Sequence, residues 1–310
     1  MAFFEPVYIK TYEKGLLKDK VEKANKNLNN CQLCPRKCNA DRLSGQVGIC
    51  KTAEYALVSS CQLHFGEEAP LVGKNGSGTI FFTHCNLLCS FCQNYDISHE
   101  GRGMEVSDIE LAGMMLSLQK SGCHNINFVT PSHVVPQILS ALEKAIEKGL
   151  NLPLVYNTGG YDNVSTLKLL EGVFDIYMPD FKFWNDEISE LICKTPDYPE
   201  IARNAIKEMH RQVGDLFIDN SGLEKRGLLI RHLVLPYDLA GTRGIMGFLF
   251  REISPDTYVN VMSQYRPCGN AYKYDKLSHP LSLKDYKIAL LEAREEGITR
   301  LDKPGFWEIF

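Results

Sequence analysis

The chain has 310 residues, 44% of them hydrophobic and 23% charged, with a formal net charge of −4. That length suits one large domain with a full core plus an extension, and the slight acidic excess argues against a protein built to coat nucleic acid. No apolar run reaches the roughly eighteen residues of a membrane span. The start, Met1-Ala2-Phe3-Phe4-Glu5-Pro6, lacks a basic, apolar export signal, so a cytoplasmic protein without membrane attachment is expected. Its eleven cysteines then read as metal ligands rather than as disulfides.

Residues 8–30, rich in lysine and asparagine, predict a polar helix laid on the outside of the fold. Cys31-Gln32-Leu33-Cys34-Pro35-Arg36-Lys37-Cys38 follows, and Cys50 joins the group after two turn glycines, Gly45 and Gly48. Four thiols can close the coordination of a structural zinc or of a second iron–sulfur cluster, and three so near together lean toward the cluster. Free thiols are the plain alternative. Tyr55 to Cys61 predicts a strand in which Cys61 packs as a small apolar residue. Gly73, Gly76 and Gly78 form a loop without the Lys-Ser/Thr of a phosphate-binding loop.

Thr79-Ile80-Phe81-Phe82-Thr83 is an apolar run, hence a buried strand, and it delivers Cys85-Asn86-Leu87-Leu88-Cys89-Ser90-Phe91-Cys92 to the loop beyond. A C-x3-C-x2-C triplet leaves one iron of a four-iron cluster without a protein ligand. Chemistry needs that open corner, whereas an electron carrier is normally closed by four cysteines. A zinc knuckle short of one ligand, or three packed thiols, is the competing account.

From here the pattern alternates. Strands are predicted at 126–130, 152–156, 174–178, 228–235 and 258–263. Helices are predicted at 111–119, 134–148, 164–170, 185–193, 199–213, 244–253 and 284–296. Six strand–helix units with right-handed crossovers define the class as α/β: a partial (β/α)6 TIM-like barrel, two units short of the closed form, with a Cys-rich N-terminal extension. The expected division is 1–72 for the extension, 73–300 for the barrel and 301–310 for a tail.

Ligands in parallel α/β sheets gather at the carboxyl ends of the strands. Those ends carry Thr130-Pro131-Ser132-His133, Asn157-Thr158, Met178-Pro179-Asp180-Phe181-Lys182, Arg231-His232 and Gln264-Tyr265-Arg266. Period-two alternation puts Asp180 and Lys182 on one face, so a carboxylate and an ammonium converge; a surface ion pair is the bland reading. His64, His84, His99, His124, Tyr95, Tyr265 and Tyr272 receive no role from position alone.

The triplet and its strand resemble the signature of the radical S-adenosylmethionine superfamily. The wider stretch, from Cys31 through His64-Phe65-Gly66-Glu67-Glu68 to Phe91-Cys92-Gln93-Asn94, resembles a branch related to the pyruvate formate-lyase activating enzyme. The resemblance implies a [4Fe-4S] cluster on Cys85, Cys89 and Cys92, with S-adenosylmethionine chelating its open iron. The reduced cluster then cleaves the sulfonium to methionine and a 5′-deoxyadenosyl radical, which abstracts hydrogen from a substrate. It further implies Phe91 against the adenine, Lys182 on the methionine carboxylate, and Arg231 on the ribose or carboxylate. Thr130 and Ser132 stand where many members carry the Gly-Gly-Glu that meets the cofactor's amino group, and His133 is read as facing substrate or capping a helix. Asp180, Met178, Asn157 and Thr158 would surround a monovalent cation, although Asn157 replaces an aspartate of the activating enzymes and removes one ligand charge. An electron donor such as flavodoxin or ferredoxin is the implied partner. Three functions stay open: activation of a glycyl radical enzyme, radical modification of a small molecule, peptide or RNA, and a two-cluster electron carrier without chemistry.

Overall fold

A glycine breaks the first predicted helix. The computed structural model describes residues 4–302, and its opening is two helices, α1 (Val7–Glu13) and α2 (Leu16–Lys26). Gly15 lies between them at φ 71°, a left-handed conformation that side chains resist, so one continuous helix over 8–30 does not form. Both helices pack outside the sheet, as expected: the Tyr8 hydroxyl donates to the Leu152 carbonyl and the Lys20 ammonium to that of Leu169.

The later elements are β1 (Ala56–His64), α3 (Ala69–Val72), β2 (Ser77–Phe82), α4 (Tyr95–Ser98), β3 (Met104–Val106), α5 (Asp108–Lys120), β4 (Ile126–Val129) and α6 (Val135–Glu147). They continue with β5 (Leu154–Thr158), α7 (Val164–Leu169), β6 (Ile176–Pro179), α8 (Asp186–Cys193), α9 (Tyr198–Val213) and β7 (Phe217–Ile218). The chain closes with β8 (Glu224–Leu233), α10 (Thr242–Phe248), β9 (Tyr258–Met262) and α11 (Leu283–Glu295). Local chemistry sets the helix starts: Ser107 and Glu110 form a reciprocal cap on α5, Asn185 caps α8, and Ser282 caps α11.

Among the described residues, six strands run parallel in the order β2-β4-β5-β6-β8-β9, which is the predicted partial barrel. β1 pairs antiparallel with β2, and β3 with β1, so the extension continues the same sheet across residues 72 and 73. Of the tail assigned to 301–310, only Leu301 and Asp302 lie among the described residues.

The sheet is covered outside by helices, where Tyr156, Tyr177 and Leu228 join a core with Leu139, Leu142 and Ile206, all at most 1% exposed. Each fully buried side chain of this size contributes about 1.5–3 kcal/mol. Alternation turns Val155, Ile176, Met178 and Leu229 to the inside of the barrel, where Leu71 from α3 plugs the floor. β5 and β6 each begin two residues later than predicted, at Leu154 and Ile176. Pro153 has no N–H for the ladder, and at its far end β5 runs on through Asn157 and Thr158. They therefore face opposite sides. Among the described residues, no helix is long and apolar enough to cross a membrane.

Candidate active site

The loop after β2 is built before any ligand is considered. His84 donates its backbone N–H to Ile97, and the N–H and hydroxyl of Ser90 both donate to the Ile192 carbonyl at the end of α8. Arg36 clamps the loop from the extension. Its Nε donates to the Asn86 carbonyl at 2.9 Å, and its two terminal nitrogens reach the carbonyls of Leu87, Cys193 and Lys194 at 2.9–3.4 Å. The Asn86 side chain donates to the Tyr161 carbonyl, and the Arg36 guanidinium lies over the Tyr161 ring. His84, Leu88 and Thr130 all hold left-handed φ of 58–62° and all line one cavity. Such conformations cost on the order of 1–3 kcal/mol each and persist where the surroundings over-determine them, as at functional sites.

That cavity, about 250 Å³, opens at the carboxyl ends of the parallel strands. Cys85, Cys89 and Cys92 form one wall, with Phe91 beside them; Thr130, Asn157, Thr158, Asp180, Lys182 and Arg231 come from the strand ends. Phe91 is fixed edge-on against Phe183 and Tyr265. Three residues expected on the cofactor, Ser132, Thr158 and Met178, turn their side chains elsewhere, although Thr158 still borders the cavity. Ser132 is buried with its hydroxyl on that of Thr158, whose own hydroxyl bonds Asp162, so both are turned to the far side of the sheet by strand alternation. Met178 belongs to the apolar floor, one residue pair below Asp180. His133 is buried too, with Nε2 on the Thr83 carbonyl, rather than facing a substrate; burial pushes its pKa down to about 3.

The strand-end charges form one set. The Lys182 ammonium bonds Asp180 Oδ2, and Arg231 Nε donates to Asp180 Oδ1 at 2.8 Å. Arg231 Nη2 donates to Asn157 Oδ1 at 2.8 Å, and Nη1 lies 3.5 Å from Glu67 Oε2. Burial pulls the Lys182 pKa down, but Asp180 and Cys89 together outweigh it and the net shift is upward. Burial pushes Asp180 up, yet Arg231 and Lys182 together hold it below its ordinary value. Burial pushes Glu67 up to about 7 against the pull of Arg231, with Glu68 and Asp180 adding to the rise.

The three thiols are held high: Cys85 is pushed up to about 12 by burial and then by Cys89, and Cys92 is raised chiefly by burial. Cys89 is raised first by a hydrogen bond with Cys193 and then by burial. Metal binding here must displace protons. The donor set fits a four-iron cluster with a chelating organic ligand: soft thiols on one wall, apolar rings beside them, and an ammonium whose field reaches Cys89 and Cys92.

Cys31, Cys34, Cys38 and Cys50 are also brought together, away from the cavity. Cys34 is pushed up to about 12 by burial, with Cys50 and Cys31 adding to it, and Cys31 in turn feels Cys38. Gly48 packs directly on the Cys38 sulfur, where a side chain would collide. Among the described residues, no three His, Cys, Asp or Glu side chains converge as the ligands of a single ion. Sequence reasoning missed Arg36, Cys193 and the part Glu67 plays on Arg231. Glu67 stands in the His64-to-Glu68 stretch that carried the resemblance, whereas neither Arg36 nor Cys193 is marked for its part.

Residues 79–220 match the radical SAM superfamily. An uncharacterized protein of Methanocaldococcus jannaschii is 34% identical over 284 residues, covering 89% of this chain and 78% of that protein. The crystal structure of HydG, a maturase of the [FeFe]-hydrogenase, is similar in fold at TM-score 0.50 and 13% identity, over 73% of this chain and 50% of that one. The chain thus matches about half the length of HydG. A structure of anSMEcpe with bound AdoMet gives TM-score 0.47 at 15% identity, over 69% of this chain and 57% of that one.

Proposed function

The chain belongs to the radical SAM superfamily and is an enzyme of that kind; from this premise we propose that its cavity cleaves S-adenosylmethionine reductively and delivers the radical to a segment of a partner protein at the cavity mouth. Cys85, Cys89 and Cys92 hold the [4Fe-4S] cluster, Lys182 holds the methionine carboxylate, and Phe91 backs the adenine. When bound, cluster and cofactor supply one-electron cleavage of the sulfonium and hydrogen abstraction from substrate. The chain's own part is to orient the cofactor by the Lys182 charge, to exclude water with the apolar walls of Phe81, Phe82, Leu87, Phe91 and Met262, and to keep the loop fixed through Arg36 and Ser90.

The observation that carries the reading is three thiols sharing one cavity with the Asp180–Lys182 pair. The cavity volume supports a macromolecular substrate: about 250 Å³ falls below the usual range of about 300–1,000 Å³ for a small-molecule site, and cluster and cofactor use it up. A glycyl radical enzyme, which would offer a backbone loop to the rim, is the partner of choice. Residues 1–72 serve as an extension whose Cys31, Cys34, Cys38 and Cys50, which do not converge on a single ion, bind a second iron–sulfur cluster, and a flavodoxin or ferredoxin supplies electrons in the cytoplasm.

Reduced, reconstituted protein is expected to release 5′-deoxyadenosine from S-adenosylmethionine. Its absence with an intact cluster spectrum overturns the proposal. Co-incubation with a glycyl radical protein is expected to give a glycyl signal in electron paramagnetic resonance. Modification of a small molecule or RNA in its place would overturn the choice of partner while leaving the cleavage reading intact.

A further inference from the structure

Of the four residues expected around a monovalent cation, Asp180 and Asn157 already have side-chain oxygens occupied. Asp180 Oδ1 and Asn157 Oδ1 each accept a hydrogen bond from Arg231, at 2.8 Å from Nε and 2.8 Å from Nη2. These nitrogens form one edge of a planar fork, so a single guanidinium spans both oxygens side-on. The backbone fixes the same geometry: Asp180 and Arg231 are bridge partners across β6 and β8, and the Phe181 N–H donates to the Arg231 carbonyl. From the barrel interior, Glu67 holds the opposite side of the guanidinium.

We propose that Arg231 is the built-in cation of this pocket, doing for Asp180 and Asn157 what a monovalent metal ion would otherwise do, so that cofactor binding needs no added alkali cation. Charge balance supports it. Asp180 already carries two cations, Lys182 on Oδ2 and Arg231 on Oδ1, so a metal ion there would be a third cation gathered on one buried carboxylate. An alkali ion would also need the two oxygens on which the guanidinium sits. With Arg231 meeting Asp180 Oδ1, Lys182 spends one N–H on Oδ2 and keeps two for the carboxylate of the cofactor. Arg231 is thereby a positioning residue, acting on the cofactor through Asp180 and Lys182 rather than through the ribose.

The cofactor side of this inference rests on the function proposed above, so the test has an arm that does not. Thermal unfolding of the metal-free chain is measured in potassium and in tetramethylammonium salts at equal ionic strength. The wild type is expected to melt equally in both, whereas Arg231→Met melts lower and regains stability with potassium or free guanidinium. Titration of the reconstituted protein with S-adenosylmethionine is expected to give equal wild-type affinities in the two salts. Arg231→Met is expected to lose about tenfold or more in tetramethylammonium, the scale of lost charged hydrogen bonds, with partial recovery in potassium. A wild-type affinity or melting temperature that depends on potassium overturns the proposal, and so does Arg231→Met retaining wild-type values in tetramethylammonium. If Arg231→Met does not fold, the wild-type comparison still decides. Absence of S-adenosylmethionine binding in every salt would overturn the proposed function, with the melting comparison still deciding the role of Arg231.

Discussion

The chain carries two groups of cysteines, and one of them lines the cavity at the strand ends. Cys85, Cys89 and Cys92 line space bounded by Lys182, Asp180 and Phe91. Cys31, Cys34 and Cys50 are each 5–7% exposed and face one another. Three thiols beside open space leave a coordination position for chemistry; four thiols without such space can only close a site upon itself. What the difference teaches is that thiol count and surroundings carry the same message here, although the sequence displays only the count. The groups are also mechanically joined, because Arg36, set between Cys34 and Cys38, holds the carbonyls of Asn86 and Leu87.

The sharpest way to break this comparison is Cys89→Ala. It is expected to abolish 5′-deoxyadenosine formation while circular dichroism stays native, since the loop lies at the barrel mouth; unchanged cleavage would remove the distinction between the groups. Cys34→Ala should act in the opposite sense, exposing the N-terminal segment to proteolysis before it disturbs the cluster loop. Metal analysis after anaerobic purification sharpens the contrast: about eight irons per chain means two clusters, four with one zinc means a structural ion, and four alone denies Cys31, Cys34, Cys38 and Cys50 a metal. Next in size, Lys182→Ala should weaken S-adenosylmethionine binding by about 1.5–3 kcal/mol while leaving the cluster spectrum intact. A loss below about 1 kcal/mol would reduce the Asp180–Lys182 pair to an ordinary ion pair.

The smallest effect concerns His133, which lies behind the cavity wall with its carbonyl held by Arg42 from the cysteine-rich segment. Burial lowers its pKa from 6.5 to about 3. The unfolded imidazole therefore takes a proton near pH 6.5 while the folded one does not, so stability is full above that value and falls as the solution becomes more acid. The expected loss from this group is about 1 kcal/mol between roughly pH 7 and 5.5. Denaturant unfolding should show that slope diminished in His133→Gln. The buried Asp175, pushed up to about 7, titrates with the opposite slope in both proteins, so the difference between them isolates the histidine.

Much of this was legible from period and punctuation. The six parallel strands follow apolar runs, the thiol triplet follows the first of them, and Asp180 and Lys182 share a face because alternation demands it. Gly15 was a visible break that the surrounding helical composition masked. β5 runs on through Thr158, so strand alternation turns that hydroxyl outward to meet Ser132. Nothing in the sequence marks Arg36 as a clamp, because its acceptors are backbone carbonyls 50 to 158 positions away and a carbonyl has no residue identity. Arg231 was visible as a charge at a strand end, but its direction was fixed only when β6 and β8 came together.

His84, Leu88 and Thr130 give the cavity a history as well as a shape. Three residues with side chains hold left-handed turns around it, and bonds within the chain fix two of them, the His84 N–H on the Ile97 carbonyl and the Thr130 N–H on the Asn157 carbonyl, so the conformational work of forming the mouth falls to folding. Loading such a mouth is a docking event rather than a folding event. Its rate should rise in proportion to the iron–sulfur donor, without a slow first-order phase in which the loop rearranges, and removal and reloading of the cluster should proceed on one unchanged scaffold.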